Sequence, residues 1–248
     1  MQTLPLSTLL FGSCLMTATV ACADSWEVSQ ALTVSNNIIL TQTGGSNSTQ
    51  AINAVNLGSS SSVRGSQTVT ATGHDITLSQ DGSGTNNTQA ANLIIAGTIG
   101  TGTANSMTQS ISAANVTLDG SGSNNTQALN MAKATTTGGL SQTITLSGSA
   151  TFTLPSGSSN NIQAGNYLNT DDINGDISQV FEGTSGNTSI AYTDSGTNNL
   201  QAGNVLIRKN GGSLSGTVTQ RFNADLVTIN GSTPQGSTQA ANYFKLKS

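Results

Sequence analysis

The chain has 248 residues, seven basic and eleven acidic, and its formal net charge is −4. Charged side chains make up 7% and aromatic ones 4%, against roughly 25% charged in ordinary globular domains. The only close basic pairs are Arg208–Lys209 and Lys245/Lys247, which excludes the clustered cationic face that nucleic acid or an anionic membrane requires. Little Pro, Glu or charge argues against disorder, and abundant Asn, Gln, Ser, Thr and Gly argue for stacked β structure.

Residues 1–23 form the first segment. Residues 4–23 are apolar and uncharged and end in Ala21-Cys22-Ala23 before Asp24. Small residues at −3 and −1 predict a secretory signal peptide cleaved after Ala23, and hence a secreted, extracellular or cell-surface protein, although the leader has no Lys or Arg. A membrane anchor and lipidation of Cys22 are the alternatives. Both cysteines, Cys14 and Cys22, lie in this segment, so a chain starting at Asp24 has neither a disulfide nor a catalytic thiol.

Residues 24–248 are read as one repeat domain. The tetrad Gln-Ala-x-Asn recurs with its Gln at Gln50, Gln89, Gln127, Gln163, Gln201 and Gln239 and its Asn at Asn53, Asn92, Asn130, Asn166, Asn204 and Asn242. The spacings are 39, 38, 36, 38 and 38 residues. Between tetrads stands a second Gln preceded by Ser or Thr: Gln30, Gln67, Gln109, Gln142, Gln179 and Gln220. The fold class expected is all-β: a β-solenoid, or stacked strand–turn–strand β-arches, of six double repeats of about 38 residues. One 38-residue coil or two coils of about 19 per repeat both satisfy the spacing.

Each repeat opens on a strand around the Ser/Thr-Gln. Apolar residues flank the Gln two places away on either side, as in Met107/Ile111 and Ile177/Phe181. Residues two apart share a face of a strand, so this Gln is expected to point inward. A second strand follows, marked by pairs such as Ile76/Leu78, Val116/Leu118, Phe152/Leu154 and Val227/Ile229. Turns such as Asp81-Gly-Ser-Gly-Thr-Asn-Asn87 lead to the tetrad; Gly and Asn there tolerate left-handed backbone. Strict alternation through the tetrad puts Ala, Asn and the residue at +5 (Val55, Ile94, Ala132, Leu168, Leu206, Phe244) inward and the tetrad Gln outward.

Buried amides are costly alone. Stacked at ~4.8 Å, each bonds to the same residue above and below, and only the ends stay open. The eighteen Gln and Asn residues named above are therefore the expected self-assembly ladders.

At these residues the chain resembles curlin, the subunit of curli fibres. Gln80-Asp-Gly82-Ser-Gly84-Thr-Asn86 and Gln42-Thr-Gly44-Gly-Ser-Asn47 are similar to its Gln-x-Gly-x-Gly-Asn repeat, and Gln179 to Gly183 with Gly186 and Asn187 is a looser match. The resemblance spans about residues 28–244; here Ala directly follows the tetrad Gln, and two kinds of anchor alternate. Fap-type amyloid subunits share the same Asn/Gln/Ala/Gly character. The resemblance implies a functional amyloid of the biofilm matrix, a homopolymer exported with accessory proteins for secretion and nucleation.

No catalytic, metal-binding or cofactor-binding residue is expected, and neither nucleic acid nor a small-molecule substrate. His74 is the only histidine, in a single turn. Asp172, Asn174 and Asp176 have the spacing of a calcium loop, but Ile177 and Gly183 stand where such a loop needs Gly and Glu. A monomeric β-solenoid adhesin is the alternative function, and an ice-binding solenoid a third: Thr68/Thr70/Thr72 and Thr135–Thr137 hint at Thr arrays, but the array does not recur in register along the sequence.

Overall fold

The computed structural model describes residues 25–100, 106–184, 186, 188–209, 211–231 and 235–246. The leader assigned to residues 1–23, and with it Cys14 and Cys22, lies outside the described residues. Among those described, all regular structure is β.

Every repeat forms one coil of three strands, so the coil is the 38-residue unit. The first row comprises β1 (Ser25–Thr33), β4 (Ser62–Ala71), β7 (Met107–Ala113), β10 (Leu140–Leu146), β13 (Ile177–Gly183) and β16 (Val218–Asn223). The second comprises β2 (Ile38–Thr43), β5 (Ile76–Asp81), β8 (Val116–Gly120), β11 (Ala150–Leu154), β14 (Ser189–Asp194) and β17 (Leu226–Gly231). The third, which carries the tetrads, comprises β3 (Thr49–Asn56), β6 (Thr88–Ile99), β9 (Thr126–Thr137), β12 (Ile162–Ile173), β15 (Leu200–Arg208) and β18 (Thr238–Leu246). All pairing within a row is parallel and in register: Gln109 lies opposite Gln67 and Gln142, and Gln127 opposite Gln89 and Gln163. The result is a parallel β-solenoid of six turns. The first and third rows join into one 12-stranded sheet where the tail of β6 pairs with the start of β4, and the second row forms a 6-stranded sheet.

The coil is not a convex loop. In the third row, register pairing includes the Ala after the tetrad Gln and then the Asn, and omits the residue between them. There the strand bends, and the alternation of faces shifts by one. Positions 0, +2, +3 and +5 from the tetrad Gln face the first two rows. Positions −1, +1, +4 and +6 fill the elbow on the other side.

Three apolar clusters follow. The largest packs Val69, Ile111, Ile144 and Phe181 of the first row against Leu78, Leu118, Phe152 and Tyr192 of the second and Ala91 and Leu129 of the third. A second sets Met107, Leu140 and Ile177 against Ile94, Ala132, Leu168 and Leu206. The third lies inside the elbow and joins Ala90, Ala128, Ala164 and Ala202 with Leu93, Met131, Tyr167 and Val205. Lys133 Nζ lies 3.5 Å from Thr88 Oγ1 of the preceding coil, so the two arms of the elbow meet at its mouth.

The corner before each of the first five tetrads is held by a left-handed asparagine, and the corner before the sixth by Gly236 (φ 70°). Asn47, Asn86, Asn124, Asn160 and Asn198 have φ of 53–57°, a conformation that Asn tolerates and most residues avoid. On the outer face of the first row, Thr68 aligns with Ser110 and Thr143, and Thr70 with Ser112 and Thr145. A mixed Ser and Thr array is therefore in register over these three coils, and it stops at Val180 and Glu182 of the next.

Candidate assembly interface: amide ladders and open ends

The first-row glutamines point inward, as their alternation with apolar residues requires. Gln67, Gln109, Gln142 and Gln179 are wholly buried. Each Nε2 donates to Oε1 of the glutamine one coil earlier at 2.7–2.9 Å, from Gln67→Gln30 through Gln220→Gln179. Its second hydrogen goes to a third-row backbone carbonyl of the same coil: Leu93 O for Gln67, Met131 O for Gln109, Tyr167 O for Gln142. The ladder thus ties coils along the axis and also ties two walls together across each coil.

The tetrad glutamines depart from the sequence expectation. They point inward, not outward, because the bend moves the inward set from +1, +3, +5 to 0, +2, +3, +5. Gln89, Gln163 and Gln201 are wholly buried. Each Nε2 donates to Oε1 of the preceding glutamine at 2.7–2.9 Å, from Gln89→Gln50 to Gln239→Gln201. A second bond reaches a second-row carbonyl, such as Ser79 O from Gln89 or Thr153 O from Gln163. The Ala at +1, expected inward, lies in the elbow instead.

The tetrad asparagines are inward as expected, but their ladder runs the other way. Each Nδ2 donates to Oδ1 of the asparagine one coil later at 2.7–2.9 Å, from Asn53→Asn92 to Asn204→Asn242. The same nitrogens donate to first-row carbonyls of the next coil, for instance Asn53 to Thr68 O and Asn130 to Thr143 O. A carbonyl beside each amide nitrogen fixes which end of the amide is nitrogen, so the direction of every ladder is defined.

A fourth row escaped the sequence reading. Oδ1 of Asn87, Asn125, Asn161 and Asn199 accepts the backbone N–H of the corner one coil earlier: Ser48, Asn87, Asn125 and Asn161 respectively. Ser237 Oγ does the same for Asn199 at 3.1 Å. The signal was present in the Asn-Asn doublets 86–87, 124–125, 160–161 and 198–199, which serve two purposes: the first Asn takes the left-handed turn and the second turns inward to cap.

The curlin-like glutamines have another place. Gln42 and Gln80 stand next to last in β2 and β5 and are buried, and neither amide has a hydrogen-bond partner among the described residues. Gly120 continues their row and breaks it. Gln179, from the looser match, belongs to the first-row ladder.

Most charged groups lie outside these ladders; the buried exception is Asp194, whose Oδ1 accepts from Asn199 Nδ2 at 2.9 Å. Glu27–Arg64, Asp171–Lys209 and Glu182–Arg221 pair on the surface at 3.1, 3.6 and 2.6 Å, where ion pairs contribute little. Burial, and then the nearby Lys209, pushes Lys133 below the usual lysine range. His74 sits in the turn between β4 and β5, its N–H bonded to Ala71 O. Asp172 and Asp176 accept the N–H groups of Ser213 and Thr217, which accounts for their spacing as loop caps.

Among the described residues, nothing continues the ladders or pairs the strand edges beyond the first and last coils. Val227, Ile229 and Phe244 of the last coil are 40%, 55% and 43% exposed, whereas their register partners Ile190, Tyr192 and Leu206 are 0% exposed. No protein-family model matches this sequence, and no curated protein or solved structure is similar enough to it to carry a comparison.

Proposed function

We propose that this protein is a structural subunit that is exported and self-assembles, coil upon coil, into extracellular amyloid-like fibres of a biofilm matrix or cell surface. The observation that carries this reading is that, among the described residues, nothing covers either end of the stack. Every inner coil finds its strand edges, ladder amides and apolar side chains satisfied by the coils on either side, while β16–β18 and β1–β3 offer the same groups with no partner among the described residues. An unpaired strand edge with exposed apolar side chains is a template for another chain. The resemblance to curlin supports the same reading, with self as principal partner and accessory proteins for export and nucleation. The leader assigned to residues 1–23 takes the chain out of the cell.

The test is to follow the purified protein by sedimentation and electron microscopy at rising concentration. Unbranched fibres that grow from preformed seeds are the expected result. A stable monomer at all concentrations contradicts the reading and favours a monomeric solenoid adhesin.

A further inference from the structure

Resting on that reading, we infer that the subunits join head to tail in a single polarity, because the two ends of the solenoid carry opposite halves of the same hydrogen bonds. At the first coil, Gln30 Nε2 and Gln50 Nε2 each spend one hydrogen on a carbonyl, Ala54 O and Thr41 O, and keep one with no partner among the described residues. The first coil also presents Asn53 Oδ1 with no donor among the described residues, within which Asn53 Nδ2 acts only as a donor. At the last coil the sense is reversed. Gln220 and Gln239 donate backward and Asn242 accepts from Asn204, and Oε1 of the first two and Nδ2 of the third have no partner among the described residues.

A second copy placed in register on the last coil meets every one of these needs. Its Gln30 and Gln50 donate to Gln220 and Gln239, and Asn242 donates to its Asn53. The corner row continues as well: Ser48 Oγ comes opposite the N–H of Ser237, and Ser237 Oγ already serves Asn199 in that way. Val28, Leu32 and Val55 then cover Val218, Phe222 and Phe244, completing the cores that each inner coil completes for its neighbour.

Like ends do not fit. A two-fold axis that sets first coil on first coil makes the strands antiparallel and takes each amide off its row. The buried polar groups there then go without partners, which is costly. The junction is therefore one more parallel coil step of ~4.8 Å.

The test uses thiols introduced on the outer face of the first row. Ala31 and Arg221 are exposed and follow the terminal ladder glutamines, so a continued register sets them side by side. In the full chain carrying Cys14→Ser and Cys22→Ser, variants A31C, R221C and the double variant are assembled and treated with a short thiol-to-thiol cross-linker. The double variant should give a ladder of covalent oligomers, an equimolar mixture of the single variants should give dimers, and each single variant alone should give none. In a single-variant fibre the thiols of successive copies lie about 29 Å apart, six steps of ~4.8 Å. Fibres in which A31C alone cross-links, or in which the double variant does not, overturn the polarity and leave self-assembly standing. A wild-type chain that never assembles removes the assembly reading itself, and this inference with it.

Discussion

Gln142 Nε2 donates to Oε1 of Gln109 at 2.7 Å, although 33 residues separate them in the chain and both side chains are wholly buried. Each has the other as its neighbour because each sits at the same place in consecutive coils. The bond recurs down the molecule and makes stacking cooperative: one amide is satisfied only if the coils on both sides are present. An amide buried without partners would cost more than its bond contributes, so the row enforces register as well as stability.

Removing a central member should therefore cost far more than removing a terminal one. Gln142→Ala leaves Gln109 Oε1, a hydrogen of Gln179 and Tyr167 O unpaired in a dry interior, a loss of about 3 kcal/mol or more. Gln220→Ala at the half-exposed end should lose about 1 kcal/mol, because water replaces the lost partner. Urea unfolding of both variants checks this, and equal losses would argue against ladder cooperativity.

Fit across coils gives a second prediction. A Cβ on Gly203 would run into the Phe222 ring, and one on Gly165 into the Phe181 ring. Phe181 and Phe222 themselves stack at 5.3 Å. In earlier coils the position between Ala and Asn holds Ile52, Ala91 or Leu129, and the facing first-row residues are aliphatic. Gly203→Ala should destabilise by about 1–3 kcal/mol, and adding Phe222→Leu should recover part of that loss. A double-mutant cycle with no coupling would contradict the contact.

The first row was legible in the sequence because its period of two runs unbroken from Met107 through Gln109 to Ile111, and all three are buried. The tetrad row was only half legible. Its alternation resets between Gly203 and Asn204 and at the equivalent positions of the other coils, and a pattern of small and apolar residues looks alike on both sides of the bend. The missed signal was complementarity between repeats: Gly appears at that position where the first-row residue of the next coil is Phe. The corner caps were hidden differently, since Asn198 and Asn199 are the same residue type with one side chain outside and one inside.

Alkaline pH should weaken the fold through its buried tyrosines. Burial pushes the phenols of Tyr192 and Tyr167 above the usual range. The unfolded chain releases those protons near pH ~10, while the folded chain retains them. Stability from these groups is thus full below pH ~10 and lost as pH rises toward their folded values. Unfolding midpoints between pH 8 and pH 11.5, read as an order-of-magnitude window around that value, should fall less steeply for Tyr192→Phe than for the wild type. Parallel curves would contradict this.

Asp119 should behave as a mild acid-side counterpart. Asp119 is exposed on β8, and partial desolvation there, then the Asp81 carboxylate, raise it modestly above the ordinary carboxylate value, so its protonated form is favoured in the fold. Its contribution is full in acid and declines as pH rises through the carboxylate range. Asp119→Asn should raise the melting temperature at neutral pH and leave it unchanged below pH ~3. A gain that persists in acid would point to packing instead of charge.

The central claim is that the stack within one molecule continues from molecule to molecule along the fibre. X-ray diffraction from aligned fibres of the purified protein reads that most directly. The account predicts a sharp 4.7–4.8 Å reflection along the fibre axis, the coil spacing repeated through every junction. Aligned fibres with that reflection perpendicular to the axis, or without it, would contradict the account.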